Sequence, residues 1–266
     1  GQTTQYERWH AVYNSRIETL QSCNNDMAFS SLWIAQNMHK KMPKNSIIHF
    51  GILNSLRCWN CFEVDHSIRT YSNTGGFGID GGVSSLIGAS FVSSDKIYYG
   101  IFGDLAFFYD MNSLGNRHIT SNVRILVANN GLGGEFKNSL GNVQKAGLGD
   151  SANEYISAYG HYGEKSPELL KHYAQDLGFQ YLSAIDKQSF LTAMKEFTTT
   201  EHKEKPMFFE VFIDEHEDVS ALDLIQNLSD FSESDQNVIE KTKKIAKSIL
   251  GRNGVKIIQK VVRKND

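Results

Sequence analysis

The chain has 266 residues, of which 40% are hydrophobic, and it contains 22 glycines but only 3 prolines. This composition is enough for one large domain or two small ones, and it excludes a disordered chain and a Pro-rich linker protein. The formal net charge of −3, with Lys and Arg spread along the sequence, gives no indication of a nucleic-acid partner.

Two amphipathic helices are predicted at residues 6–20 and 27–41, where apolar side chains recur at helical spacing. Short apolar runs and helical segments then alternate, with strands predicted at 47–52, 67–72, 97–102, 123–128, 180–184 and 207–213 and helices at 83–92, 105–114, 168–177 and 187–198. This alternation predicts a three-layer α/β/α fold with a mainly parallel sheet. Beyond residue 214, amphipathic segments at 220–228 and 236–250 predict a C-terminal helical extension, with a possible strand at 255–262.

The cysteine count and the start of the chain allow a prediction of the cellular compartment. The odd, low count of Cys23, Cys58 and Cys61 does not make a disulfide framework, which fits a reducing cytoplasm. Cys58 and Cys61 form a CxxC without a second ligand pair, so free, buried or half-buried thiols are favoured over a redox or zinc site. No stretch approaches the ~18 to 20 apolar residues of a membrane span, and the start of the chain lacks a signal peptide and an initiator Met. We therefore expect a cytoplasmic fragment of a longer protein.

Polar residues follow three of the predicted strands. Asn54 and Ser55 come after the first strand, Gly103-Asp104 after the third, and Asn129-Asn130 after the fourth. Ligands of parallel sheets bind beyond the carboxyl ends of the strands, so these residues are expected to share one site.

The chemistry of the two later pairs suits magnesium and a diphosphate. Mg²⁺ prefers hard oxygen ligands, some of which phosphates can supply. Gly103-Asp104-Leu105-Ala106 offers a glycine, a carboxylate and the start of a helix, where backbone N–H groups can bind phosphate. Asn129-Asn130 offers an amide oxygen from the next strand end, at a distance along the chain that allows a crossover helix.

The pattern Gly-Asp, about 25 residues, then Asn-Asn resembles the signature of thiamine-diphosphate-dependent enzymes. The resemblance implies that Asp104 and Asn130 bind Mg²⁺ through side-chain oxygens and Leu132 through its backbone carbonyl, with Gly103, Leu105 and Ala106 beside the diphosphate. Leu105 stands where many members have a third glycine, but the group required there is a backbone N–H.

Residues 71–81, and above all Gly78-Ile79-Asp80-Gly81, resemble the 2-succinyl-5-enolpyruvyl-6-hydroxy-3-cyclohexene-1-carboxylate synthases of menaquinone biosynthesis. Acetolactate-synthase-like enzymes are close relatives of these synthases. The resemblance implies that Ile79 is the apolar wedge that keeps the cofactor bent, that the Gly78 carbonyl accepts from its 4′-amino group, and that Asn54 and Ser55 also lie at the cofactor.

Three candidate substrate residues depart from the synthases. Arg57 follows Ser55 more closely than expected, Thr74 stands in place of an Arg that binds a substrate carboxylate, and Glu135 replaces an apolar residue. Threonine cannot form the two parallel hydrogen bonds of that Arg, and a carboxylate at 135 disfavours a dicarboxylate nearby. The identity of the 2-oxo acid and of the acceptor therefore stays open. Arg57 and Glu135 could equally be surface residues at strand ends.

The resemblance covers about residues 6–214. It divides the chain into a helical lead-in from a missing upstream domain at 1–45, a domain that binds the diphosphate and Mg²⁺ at 46–215, and the helical extension at 216–266. The implied enzyme is a 2-oxo-acid decarboxylase and carboligase, a transferase or lyase. Its activating Glu would lie on a pyrimidine-binding domain of the same or a second chain, so no catalytic residue is assigned. We expect the fragment to be inactive alone and the whole enzyme to be a homodimer or homotetramer.

Other interpretations remain open. The chain could be a non-catalytic module with the same fold, or an acetolactate-synthase-like enzyme with another 2-oxo acid. A Rossmann-type nucleotide binder is disfavoured, because no GxGxxG follows a first strand with an acidic residue ~20 positions later. His49, His118 and His161 are candidates for acid–base chemistry, but a structural role is favoured for each.

Overall fold

The computed structural model describes residues 4–22, 27–76, 78–138, 141–149, 151, 166–201 and 203–227. Two helices precede the first strand, α1 (Gln5–Ser22) and α2 (Ser31–Met38), and a 3-10 turn (His39–Lys41) follows α2. The predicted second helix begins later than expected because Ser30 has an extended backbone and caps it. The Ser30 hydroxyl accepts a hydrogen bond from the Trp33 N–H at 3.3 Å, which fixes the first turn.

Six strands form one parallel sheet, and this confirms the predicted fold class. The strands are β1 (Ile47–Phe50), β2 (Arg69–Ser72), β3 (Tyr98–Gly103), β4 (Val123–Asn129), β5 (Gln180–Ala184) and β6 (Met207–Phe212). They pair in the order β2-β1-β3-β4-β6-β5, and every pair is parallel. Each was predicted within a few residues. The inner strands β1, β3, β4 and β6 are the apolar runs expected of strands buried on both faces, whereas β2 and β5 at the edges are more exposed.

Helices cover both faces of the sheet. Those after β1 are α3 (Asn54–Trp59), α4 (Gly82–Ser90), α5 (Asp104–Asp110), α6 (Asn142–Lys145), α7 (Leu169–Asp176), α8 (Lys187–Phe197) and α9 (Glu215–Asn227). One buried cluster lies between the sheet and α2, α3 and α8, and includes Trp33, Ile48, Trp59, Ile101, Phe190 and Phe209. The other lies between the sheet and α4, α5 and α7, and includes Val83, Phe102, Phe107, Ile125, Leu170 and Phe208. Successive strand residues point alternately into the two clusters, which gives the three layers.

The described part of the predicted C-terminal extension is α9. It begins earlier than predicted, at Glu215, and packs against α2 and α3. The segments 236–250 and 255–262, together with Cys23 and His161, lie outside the described residues. Among the described helices, none combines the length and the apolar character that crossing a membrane requires.

Candidate functional site

A cleft at the carboxyl ends of β1, β3 and β4 collects most of the predicted site residues. Its lining includes Asn54, Ser55, Ile79, Gly103, Asp104, Leu105, Ala106, Asn130, Leu132 and Glu135. Three other predicted residues, Arg57, Thr74 and Gly78, do not line it, although Gly78 adjoins Ile79 in the chain. The cleft encloses only about 70 Å³. Sites that enclose a drug-sized ligand measure roughly 300–1,000 Å³, so this cleft alone is too small to enclose one.

Asp104 links the ends of β3 and β4. It is the first residue of α5, it is 3% exposed, and its Oδ2 accepts from the Gly131 N–H at 3.0 Å. Gly131 has a φ of 79°, the left-handed region that glycine adopts without strain, and so turns the chain back toward Asp104. One turn thus presents a carboxylate next to the loop that carries Asn130 and Leu132.

Asn130 has both ends of its side-chain amide engaged. Its Oδ1 accepts from the Leu132 N–H at 3.1 Å, and its Nδ2 donates to Asp218 Oδ2 at 2.9 Å. Leu132 is buried. The loop is therefore held in one conformation by short-range bonds and by a residue from α9.

The β1 end of the cleft carries strain and an unpaired acceptor. Leu53 has φ 68° and ψ −119°, a backbone conformation that costs a non-glycine residue about 1–3 kcal/mol and that clusters at functional sites. Asn54 Oδ1 is buried and has no hydrogen-bond partner among the described residues. A Cβ at Gly134 would collide with the Asn54 amide, so the glycine makes room for it. An unpaired buried acceptor at a cleft is typical of a group that contacts a ligand or water.

Arg57 and Glu135 form an ion pair at the rim of the cleft. Arg57 Nη1 donates to Glu135 Oε2, and Nη2 lies 3.4 Å from Oε1. The side chains are 37% and 31% exposed. Thr74 is exposed in the segment after β2. Of the three candidate substrate residues, only Glu135 lines the cleft, and it neutralises the guanidinium that would otherwise attract an anion.

The sequence has relatives among the menaquinone-pathway synthases. It is 38% identical over 188 residues to the 2-succinyl-5-enolpyruvyl-6-hydroxy-3-cyclohexene-1-carboxylate synthase of Christiangramia forsetii and 33% identical over 197 residues to that of Phocaeicola vulgatus. These alignments cover 70% and 74% of this chain but only 30% and 33% of the relatives. No protein-family model matches the sequence.

The fold has a counterpart among solved structures. The thiamine diphosphate-dependent 4-hydroxybenzoylformate decarboxylase of Rhodococcus jostii RHA1 aligns with a TM-score of 0.50 and 18% identity, over 70% of this chain and 33% of that chain. The chain is therefore similar in sequence to part of these synthases and similar in fold to part of a thiamine diphosphate-dependent decarboxylase. It spans about a third of the length of the relatives that it matches.

Among the cleft residues that sequence reasoning missed is a buried acidic residue. Asp218, in α9, is 3% exposed and lines the cleft. Burial is the main cause that raises the pKa of its carboxyl, and hydrogen bonds from Ser31 and Asn130 oppose the rise. In the sequence it belongs to an acidic stretch from Glu215, a pattern typical of a solvated first helical turn. The sequence around Asp218 gives no indication that this residue lies close to Asn130.

Of the candidate histidines in the described part of the chain, His49 has a structural role. His49 is buried, which lowers its pKa, and its Nε2 lies 3.0 Å from Asn73 Oδ1. Asn73 Nδ2 donates to the Gly81 carbonyl at 2.9 Å, so His49 anchors the segment that carries Ile79. His118 is exposed.

The CxxC is a pair of free thiols, as favoured from the sequence. Burial raises the pKa of Cys58, with a smaller contribution from the charge of Asp218, and burial raises the pKa of Cys61 to about 11. Thiols with raised pKa values are poor nucleophiles and metal ligands. Within the described ranges, no three His, Cys, Asp or Glu side chains are grouped to hold a metal ion. A metal at the cleft would need further ligands from a bound phosphate.

A second, larger cavity of about 610 Å³ opens at the amino end of β5. It is lined by Gln175, Phe179, Gln180, Tyr181, Lys203, Glu204 and Lys205. None of the predicted site residues lies there, and ligands of parallel sheets bind at the opposite strand ends. The cleft at the carboxyl ends is therefore the candidate functional site.

Proposed function

We propose that this domain binds the diphosphate of thiamine diphosphate together with Mg²⁺. Asp104 and Asn130 would bind the ion through side-chain oxygens, and Leu132 through its backbone carbonyl. The observation that carries the proposal is the hydrogen bond from Gly131 N–H to Asp104, because it brings the carboxylate and the Asn130 loop together. Gly103, Leu105 and Ala106 would lie at the phosphates, since α5 begins here without a side-chain cap.

The chemistry of the three proposed ligands supports a Mg²⁺ site. One carboxylate and two neutral oxygens leave coordination positions for phosphate oxygens, and Mg²⁺ is usually bound in this way. Beyond the metal, half-buried Ile79 offers an apolar contact. Asn54 offers its unpaired acceptor, and Ser55 lies beside it in the cleft. The Gly78 carbonyl is proposed to reach the cofactor from the segment that precedes Ile79.

The domain would act as part of a 2-oxo-acid decarboxylase and carboligase, a relative of the menaquinone-pathway synthases. When bound, thiamine diphosphate supplies the carbon nucleophile and electron sink for decarboxylation. This chain's residues would hold the cofactor and its charge. The activating Glu would come from a pyrimidine-binding domain of the same or a second polypeptide, in a dimer or tetramer. We propose residues 1–45 as the lead-in, 46–215 as the binding domain and 216–266 as an extension.

A binding experiment tests this proposal directly. Inorganic pyrophosphate and thiamine diphosphate should both bind this chain in the presence of Mg²⁺, as monitored by ³¹P NMR, and thiamine without phosphates should not. Asp104→Ala should weaken the Mg²⁺-dependent binding at least tenfold, because it removes the single carboxylate ligand. Glu168→Gln, an exposed charge beside α7, is the control and should bind like the wild type. Equal binding with Mg²⁺ and with EDTA would refute the proposal.

The Arg57–Glu135 pair leads to a proposal on substrate class. Since Glu135 already neutralises Arg57 and Thr74 offers no charge, we propose a 2-oxo acid without the second carboxylate of 2-oxoglutarate. Glu135→Gln should free the guanidinium and tighten 2-oxoglutarate binding by roughly threefold to tenfold, a modest gain because the pair is one-third exposed.

Arg57→Gln should have the opposite effect, because it leaves Glu135 unpaired in the cleft. Both variants can be titrated with 2-oxoglutarate and with pyruvate at saturating thiamine diphosphate and Mg²⁺, by ligand-observed NMR. An unchanged preference between the two acids in both variants would show that this pair does not select the substrate.

A further inference from the structure

Asp218 connects the last described helix to the candidate metal site. Its carboxylate is buried and is divided between two donors. Oδ1 accepts from the Ser31 N–H, at the start of α2, at 2.6 Å, and Oδ2 accepts from Asn130 Nδ2 at 2.9 Å. Asp218 therefore joins α9, the N-terminus of α2 and the loop after β4.

This contact decides which way the Asn130 amide faces. Both carboxylate oxygens of Asp218 accept from N–H donors, so the NH₂ group of Asn130 points toward Asp218. The Leu132 N–H then requires an acceptor on the other side, and Oδ1 supplies it. The two partners fix the same orientation, in which the oxygen is directed away from α9 and toward the loop that faces Asp104.

The neighbouring asparagine is held in a similar way. Asn129 Nδ2 donates to Oε1 of Glu210, a buried residue of β6, at 2.6 Å. The NH₂ groups of both asparagines thus donate hydrogen bonds to buried carboxylates, and both carboxylates belong to the short stretch of residues 210–218. Second-sphere carboxylates commonly orient the groups that bind a metal.

We infer that Asp218 is a positioning residue of the metal site, which fixes the Asn130 amide with its oxygen available to Mg²⁺. This inference rests on the proposed function. The inference places the beginning of α9 at the site, although residues 216–266 were predicted to form an extension.

Asp218→Asn tests the inference with little change in volume. The new amide can accept from Ser31, but it then turns an NH₂ group toward the NH₂ group of Asn130. Relief of that clash turns the Asn130 amide over and moves its oxygen away from the ion. Mg²⁺-dependent pyrophosphate binding should weaken about tenfold to a hundredfold, the usual effect of losing such a partner. Glu217→Gln, an exposed charge on the same helix, is the matched control and should bind like the wild type.

A paired exchange separates positioning from a general loss of structure. Adding Asn130→Asp to Asp218→Asn restores a donor opposite a carboxylate and should recover part of the lost affinity, which a merely structural role of Asp218 does not predict. Unchanged binding in Asp218→Asn, or no recovery in the exchange, would overturn the inference.

A second readout requires no ligand. The Asn130 side-chain NH₂ protons, identified by their loss in Asn130→Asp, should exchange slowly with solvent in the wild type and quickly in Asp218→Asn. If the wild type does not bind Mg²⁺ and pyrophosphate, the proposed function fails. The exchange rates then decide the inference alone: equal rates in both proteins would overturn it.

Discussion

Arg124→Ala is expected to lower the free energy of unfolding by about 3–5 kcal/mol, because it leaves buried acceptors unpaired and opens a cavity. Arg124 lies in β4 and is 1% exposed. The two N–H groups of its Nη1 are shared among three acceptors, the Tyr99 hydroxyl at 2.9 Å and the carbonyls of Phe197 at 2.7 Å and Thr199 at 2.6 Å. Its Nη2 donates to the Glu201 carbonyl at 3.2 Å.

The partners explain how a charge is tolerated inside the sheet. The last carbonyls of α8 have no partner within the helix, and they carry the negative end of its dipole. Arg124 donates to the Phe197 carbonyl at this helix end and also to the carbonyls of Thr199 and Glu201 that follow it. Alanine would leave these acceptors unpaired in a cavity, and both effects are unfavourable. One cost is already present in the wild type, because Nε of Arg124 is buried without a hydrogen-bond partner among the described residues.

Urea unfolding monitored by circular dichroism measures the effect. Arg124→Lys should be intermediate, because it keeps the charge but loses the planar group that reaches several acceptors at once. Arg124→Met should show how much of the loss is due to packing of the long side chain. Arg117→Ala, at an exposed position, should unfold like the wild type. A loss below about 1 kcal/mol in Arg124→Ala would mean that the carbonyls find other partners.

These contacts mark the limit of what the sequence predicts. The strand around Arg124 is evident from its apolar neighbours, but the three acceptor carbonyls lie 73 to 77 residues further along the chain and leave no local pattern. Asp104 and Asn130 could be predicted to meet, because strand ends in a parallel sheet converge and both residues directly follow strands.

Two other features had no such signal. α3 has only six residues and begins immediately after the β1 turn, so helical periodicity has no length over which to appear. Asp218 reaches the cleft only because α9 folds back on α2 and α3. The direction that a chain takes after its last strand depends on packing between distant segments, and the residues of α9 alone do not determine it.

Glu210→Ala is expected to lower the free energy of unfolding by about 2–4 kcal/mol, since it leaves two half-buried donors without their acceptor and opens a gap at a buried position. Glu210 is 1% exposed in β6. Its Oε2 accepts from the Tyr181 hydroxyl at 2.7 Å, and Oε1 accepts from Asn129 at 2.6 Å. Burial, and then the bond to Glu210, raise the pKa of Tyr181, which keeps the hydroxyl protonated as a donor.

The expected effect extends from stability to the cleft, because Asn129 directly precedes the proposed metal ligand. Glu210→Gln should cost less than Glu210→Ala, since its amide oxygen still accepts from Asn129 and its NH₂ group can donate to the Tyr181 oxygen. Tyr181→Phe removes one donor and leaves the contact with Asn129.

A double-mutant cycle of Glu210→Ala and Tyr181→Phe separates the two contacts. A coupling energy near 1 kcal/mol is expected for the hydrogen bond from Tyr181. The rest of the stability lost in Glu210→Ala is then due to the lost contact with Asn129. Glu210→Ala should therefore also weaken Mg²⁺-dependent pyrophosphate binding, whereas Tyr181→Phe should leave this binding unchanged. Equal binding by Glu210→Ala and the wild type would mean that Asn129 can move without disturbing Asn130, and that the two asparagines are positioned independently.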